Sequence, residues 1–263
     1  MPILSSGSQR IYYETAGQGS TPLVLFNGLT MSTQAWVFML PVLAPHYRLV
    51  LLDFLGQGQS DKPEAERYDL ASQADIAAQL LDTLGIARAR VVGLSYGGMV
   101  AQHFARRYGE RVDRLMLAAT LAWSDEVNQR IIESWKDANI AGGVDLRFTV
   151  SLPWLFSSKG LVEQAGFLPK LKEIATAVDW RAVARLMAGV CEHDARPWLN
   201  SITNPTVVLV GEEDRLTPLY QAALLAGSMP DATLVELSDS GHALHIEAAD
   251  SFAREILRFC THQ

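Results

Sequence analysis

The chain has 263 residues, 49% of them hydrophobic and 19% charged, with a formal net charge of −7. That apolar content supports a sizeable core and excludes a disordered chain, and the length suits one large α/β domain or a core carrying an insertion. The acidic balance, with no block of lysine or arginine, argues against nucleic acid or an anionic membrane surface as partner.

Two cysteines, Cys191 and Cys260, give neither a disulfide framework nor a metal-binding spacing, and Cys260 sits in an apolar run as a packed core residue would. Residues 1–7 lack a basic region and an extended apolar segment. Neither a signal peptide nor membrane insertion is therefore expected, and a cytoplasmic location is.

Residues 10–15 carry strand formers and lead into a turn at Gly17-Gln18-Gly19-Ser20. Leu23-Val24-Leu25-Phe26 is an uninterrupted apolar run, as in a strand buried on both faces, and ends at Asn27-Gly28-Leu29. A helix is expected over 33–43, capped by Ser32 or Thr33. A second buried strand, 48–53, opens into Phe54-Leu55-Gly56-Gln57-Gly58-Gln59-Ser60. Residues 70–84 read as an amphipathic helix closed by Gly85. Strands are expected at 89–92 and 112–118. Past Trp123 the alternation stops: residues 124–199 show helical patterns, and five of the six tryptophans fall between 123 and 198. It resumes with a strand at 206–210, a helix at 218–229, a strand at 233–237 and a helix at 248–259. The pattern predicts a mostly parallel α/β sheet flanked by helices, built from 1–123 and 200–263, with 124–199 as a helical insertion.

The stretch Gly93-Leu94-Ser95-Tyr96-Gly97 stands between a strand and a helix, the context of a nucleophile elbow. A serine forced into a left-handed turn brings the residues two before and two after it together, and only glycines fit there. The turn lifts the Ser95 hydroxyl off the sheet edge and puts the Tyr96 amide at the first helical turn, where it can stabilise an oxyanion. Asp214 and His242 each follow a later strand, and residues beyond the carboxyl ends of parallel strands converge on one edge. Ser95, Asp214 and His242 thus have the order and placement that nucleophilic acyl chemistry needs. Glu212, Glu213 and Asp125 are rival acids, and His245 is a rival histidine.

On these motifs, from about residue 10 to the C-terminal helix, the chain resembles the α/β-hydrolase superfamily, with Gly-Leu-Ser-x-Gly-Gly and Gly-x-x-Asp-x-x-x-Pro segments like those of enol-lactonases and small carboxylesterases. The resemblance implies an α/β-hydrolase fold with a helical cap after the sixth strand and a Ser95–Asp214–His242 triad. It also implies an oxyanion hole from the backbone amides of Leu29 and Tyr96. Asn27-Gly28 stands where many members have His-Gly, and Ser95 excludes members that use an aspartate nucleophile.

The cap run Leu152-Pro153-Trp154-Leu155-Phe156, with Phe148, Phe167 and Met187, could line an apolar pocket over Ser95; Asn27 could shape its oxyanion side. Cys191-Glu192-His193-Asp194 reads as a solvated turn rather than a metal site, and no dinucleotide glycine pattern appears. The expectation is a cofactor-free serine hydrolase of small, largely apolar esters or lactones. Acyl transfer to an alcohol and ligand reception on a hydrolase scaffold are the alternatives. The oligomeric state is left open, a homodimer included.

Overall fold

The computed structural model describes residues 2–261, with side chains through residue 259. The expectation for Cys260 therefore lies outside the described side chains. The strands are β1 (Ile3–Ser6), β2 (Gln9–Ala16), β3 (Thr21–Phe26), β4 (Tyr47–Leu52), β5 (Ala89–Leu94), β6 (Val112–Ala118), β7 (Thr206–Gly211) and β8 (Ala232–Leu237). They form one 8-stranded sheet in the order β1-β2-β4-β3-β5-β6-β7-β8. β3 through β8 pair in parallel, while β1 and β2 are antiparallel at one edge.

Successive side chains of a strand point to opposite faces, so each apolar run feeds two cores. Val24, Val50, Val91, Leu115 and Val208 pack on one face, and Leu23, Leu49, Val92, Met116 and Val207 on the other. The helices are α1 (Leu40–Leu43), α2 (Leu70–Thr83), α3 (Tyr96–Arg107), α4 (Glu126–Leu155), α5 (Ser158–Glu163), α6 (Leu168–Ala177), α7 (Trp180–Cys191), α8 (Leu219–Ser228), α9 (Leu244–Glu247) and α10 (Ala249–Thr261). α2, α3 and α8 cover the first face; α1 and α10 cover the second. No helix among the described residues is long and apolar enough to cross a membrane.

Most elements fall within about two residues of their sequence-predicted bounds. The helix expected over 33–43 is instead a 3-10 turn, Thr33–Trp36, followed by the single turn α1. Pro41 explains the break: it has no N–H to donate to the Val37 carbonyl, and its ring crowds that turn. Ser32 stands at the cap position but makes no side-chain cap bond. β1, an edge strand of sequence Ile-Leu-Ser-Ser, goes unannounced by its composition.

Between β6 and β7 the chain is helical, α4 through α7. An antiparallel bridge between Trp123 and Asp194 closes the base of this block, with the Ser124 amide donating to the His193 carbonyl at 2.9 Å and the Ala195 amide to the Ala122 carbonyl at 2.8 Å. α4 breaks at Gly142 and Gly143, the latter at φ 59°, ψ −149°.

Candidate active site

Ser95 joins β5 to α3 at φ 55°, ψ −116°. A Cβ on Gly93 would stand 2.4 Å from the Gly97 carbonyl oxygen, and one on Gly97 would stand 2.2 Å from the Phe26 carbonyl oxygen. Both obstacles are backbone, so only glycine fits either position. The Ser95 amide donates to the Ala118 carbonyl at 2.8 Å, and its carbonyl accepts from Thr120 Oγ1 at 2.7 Å. The turn is thus fixed from β6 as well as from its own strand.

The structure brings Ser95, His242 and Asp214 into one line. His242 Nε2 lies 2.9 Å from Ser95 Oγ, and His242 Nδ1 lies 3.0 Å from Asp214 Oδ2. Both His242 and Asp214 are buried. Asp214 also accepts from the Leu216 amide at 3.0 Å and from the Thr217 amide and hydroxyl, both at 2.7 Å. The Thr217 hydroxyl proton is committed to Asp214, so the Nδ1 proton of His242 is directed to the carboxylate. That tautomer turns the Nε2 lone pair toward the serine hydroxyl. Thr217 is a site residue that sequence reasoning missed; its signal was its place three after Asp214 and one before Pro218 in the turn after β7.

The rival acids are engaged elsewhere. Asp125 caps α4 through the Asn128 amide at 2.9 Å and bonds the Tyr220 hydroxyl. Glu213 pairs with Arg215 at 2.6 Å and accepts from Ser158, and Glu212 accepts the Asp239 amide at 3.1 Å. His245 borders the same cavity as Ser95, but its Nδ1 has no partner among the described residues. Burial, reinforced by the nearby His242, lowers its pKa to about 3.

Leu29 and Tyr96 both border the cavity beside Ser95. The loop carrying Leu29 is held from behind by Gln57, whose Nε2 donates to the Gly28 carbonyl at 2.8 Å and the Leu29 carbonyl at 3.2 Å. With these two carbonyls tied to Gln57, the peptide planes on either side of Leu29 are held in place. Asp53 anchors the same layer, accepting the Thr33 amide at 2.7 Å and the Gln59 amide at 2.8 Å. Burial raises its pKa despite those donors. Gln57 carried no signal beyond its setting between Gly56 and Gly58.

A cavity of about 690 Å³ lies between the sheet edge and the helical block. Phe156, Met187, Phe148, Phe167, Leu152 and Leu155 border it as expected. Asn27, Pro153 and Trp154 do not, which corrects those three expectations. The Asn27 amide is fully buried, accepting from Trp36 Nε1 at 2.8 Å and donating to the Leu52 carbonyl at 2.8 Å. Positions 148, 151, 152 and 155 make one face of α4, and Trp154 falls off it, packing against the core. A further correction concerns His193, which is buried rather than solvated. Its ring centroid lies 5.5 Å from that of His103, the planes tilted by 56°, and burial lowers its pKa to about 3.

The profile of a family described as alpha/beta hydrolase fold matches residues 21–137 and 182–249. A poly(3-hydroxyalkanoate) depolymerase of Ectopseudomonas oleovorans is 30% identical over 91% of this chain and 84% of its own. Among solved structures, MGS-M2, an alpha/beta hydrolase enzyme from a Medee basin deep-sea metagenome library, superposes with TM-score 0.94 at 28% identity, covering 100% of this chain and 98% of that one. The enol-lactonase of Burkholderia xenovorans LB400 superposes with TM-score 0.89 at 26% identity, covering 99% of this chain and 100% of that one.

Proposed function

We propose, for a chain that belongs to the α/β-hydrolase fold family, that it is a serine hydrolase cleaving a small, largely apolar carboxylic ester or lactone. The observation that carries this reading is the Ser95–His242–Asp214 line at the floor of a cavity walled largely by apolar side chains. The helical block from α4 to α7 serves as the cap that shapes this cavity.

Ser95 Oγ attacks the carbonyl carbon while His242 Nε2 takes the hydroxyl proton. The carbonyl oxygen becomes an oxyanion held by the Leu29 and Tyr96 amides, the latter reinforced by the N-terminus of α3. Collapse breaks the ester bond, and the departing alkoxide takes the proton from His242. Water then gives a proton to Nε2 and attacks the acyl-enzyme; the second collapse returns that proton to Ser95 and releases the acid. Asp214 holds the tautomer and stabilises the imidazolium in both halves. In support, two relatives carry names for ester-type bonds, a depolymerase of poly(3-hydroxyalkanoate) and an enol-lactonase.

A chromogenic ester series of graded acyl length, run on the wild type and Ser95→Ala, tests this. A burst of chromophore and a turnover loss on the order of 10³-fold or more in the variant are expected. Turnover that survives in Ser95→Ala, or none by the wild type on any ester, overturns the reading. A new ester product formed when an alcohol is added would reassign the second half-reaction to acyl transfer.

A further inference from the structure

Apart from His242 and its neighbour His245, the ionisable side chains bordering the cavity are Lys62, Asp179, Arg147 and Tyr96. Tyr96 keeps its proton, because burial raises its pKa. Lys62 is occupied by the Gly58 and Ser60 carbonyls. Asp179 is exposed and caps α7 through the Arg181 and Ala182 amides. Arg147 differs from both: only 8% of it is exposed, and no carboxylate lies within ion-pair distance among the described residues. The acids of the adjoining helices are turned elsewhere, Asp145 pairing with Lys172 at 2.8 Å and Glu173 with Lys170 at 2.7 Å.

What holds Arg147 is neutral. Its Nε donates to Asn139 Oδ1 at 3.1 Å, and its Nη2 points to the Ala175 carbonyl at 3.4 Å, near the end of α6. The guanidinium lies over the Trp180 ring, 3.9 Å from its centroid. The break at Gly142 and Gly143 lets the side chain reach back eight residues to Asn139. Of the five N–H donors of a guanidinium, these contacts use two. Nη1 has no acceptor among the described residues, so its two protons and the second proton of Nη2 remain, arranged as the planar fork that matches a carboxylate.

A buried charge without a counter-charge is costly and is retained where something else supplies the partner. We propose that Arg147 binds a carboxylate carried by the substrate itself, remote from the bond cleaved at Ser95. The substrate is then an apolar-chain ester or lactone that ends in a free acid. This deepens the serine-hydrolase reading and rests on it. The apolar wall receives the chain, Ser95 meets one end and Arg147 the other.

The test compares 4-nitrophenyl monoesters of linear dicarboxylic acids with 4-nitrophenyl alkanoates of the same chain lengths. At its best length the wild type is expected to favour the acid-ended ester in kcat/KM by roughly tenfold or more. Arg147→Met should cut that ratio by roughly ten- to hundredfold, chiefly through KM, with Arg147→Lys in between. A ratio that favours the neutral ester at every length, or one that Arg147→Met leaves unchanged, overturns the proposal. Should the wild type turn over neither series, the serine reading fails, and calorimetric titration of the free dicarboxylates decides the point. Binding by the wild type that is lost in Arg147→Met would sustain the Arg147 site; no binding, or equal binding, would end it.

Discussion

Ser95 occupies a backbone conformation that L-residues rarely adopt, at a cost of about 1–3 kcal/mol, and the fold around it meets that cost. The Ala118 carbonyl at the end of β6 and the Thr120 hydroxyl just beyond it hold the turn, so strain at one residue is shared with the neighbouring strand and its continuation. The charge network is equally over-determined: Asp214 receives two amides, a hydroxyl and the imidazole. Thr217 is the group here whose removal leaves the backbone intact. Thr217→Val should lower kcat by about tenfold, about 1.4 kcal/mol of barrier, with KM little changed and Thr217→Ser restoring most of the rate. A kcat equal to that of the wild type would show that Thr217 does not position Asp214.

At the scale of elements, the helical block depends on one interruption. Gly143 in α4 has a combination of φ and ψ open essentially to glycine alone, while a Cβ there would meet nothing within 4 Å. Gly143→Ala therefore isolates backbone strain from packing. It should destabilise the protein by about 1–3 kcal/mol in denaturant unfolding. Unchanged stability would mean that α4 straightens without loss. The loop bearing His242 is tied to the same block: Glu247 accepts the Gly241 amide at 2.7 Å and the Ser157 hydroxyl at 2.8 Å. The Ala243 amide donates to the Leu155 carbonyl at 2.8 Å. Movement of the block is thereby coupled to the histidine's loop.

At the scale of the whole molecule, burial sets how the fold answers to acid. Burial lowers the pKa of His103 to about 4 and of His193 and His245 to about 3. An unfolded histidine takes a proton near pH 6.5, whereas these stay neutral when folded. Between pH 6.5 and those lowered values the unfolded state binds more protons, so stability is full above pH 6.5 and is lost as pH falls through the window. Well inside the window each histidine contributes a slope of about 1.4 kcal/mol per pH unit. His193→Gln should therefore gain on the wild type as pH falls from 6.5 toward 4, and unfolding series at several pH values check this. A difference independent of pH would show that His193 takes up its proton as readily in the fold as in the unfolded chain.

Uninterrupted apolar runs at Leu23-Val24-Leu25-Phe26 and Val207-Val208-Leu209-Val210 determined a parallel two-faced sheet, because period and burial are local properties of a strand. The glycines flanking Ser95 determined the elbow for the same reason: steric exclusion acts over five residues. Placement after strand ends made Asp214 and His242 candidates beside Ser95, since parallel strands bring those ends to one edge, but it left Glu212, Glu213, Asp125 and His245 as rivals. What only the tertiary structure decided is where side chains point across long separations. It turned Asn27 into the core, took Trp154 off the cavity face, and buried His193 against His103. It also brought Gln57 behind the Leu29 loop and left Arg147 facing the cavity with no counter-charge among the described residues. Those outcomes depend on contacts between residues far apart in the chain, whose geometry no local pattern carries.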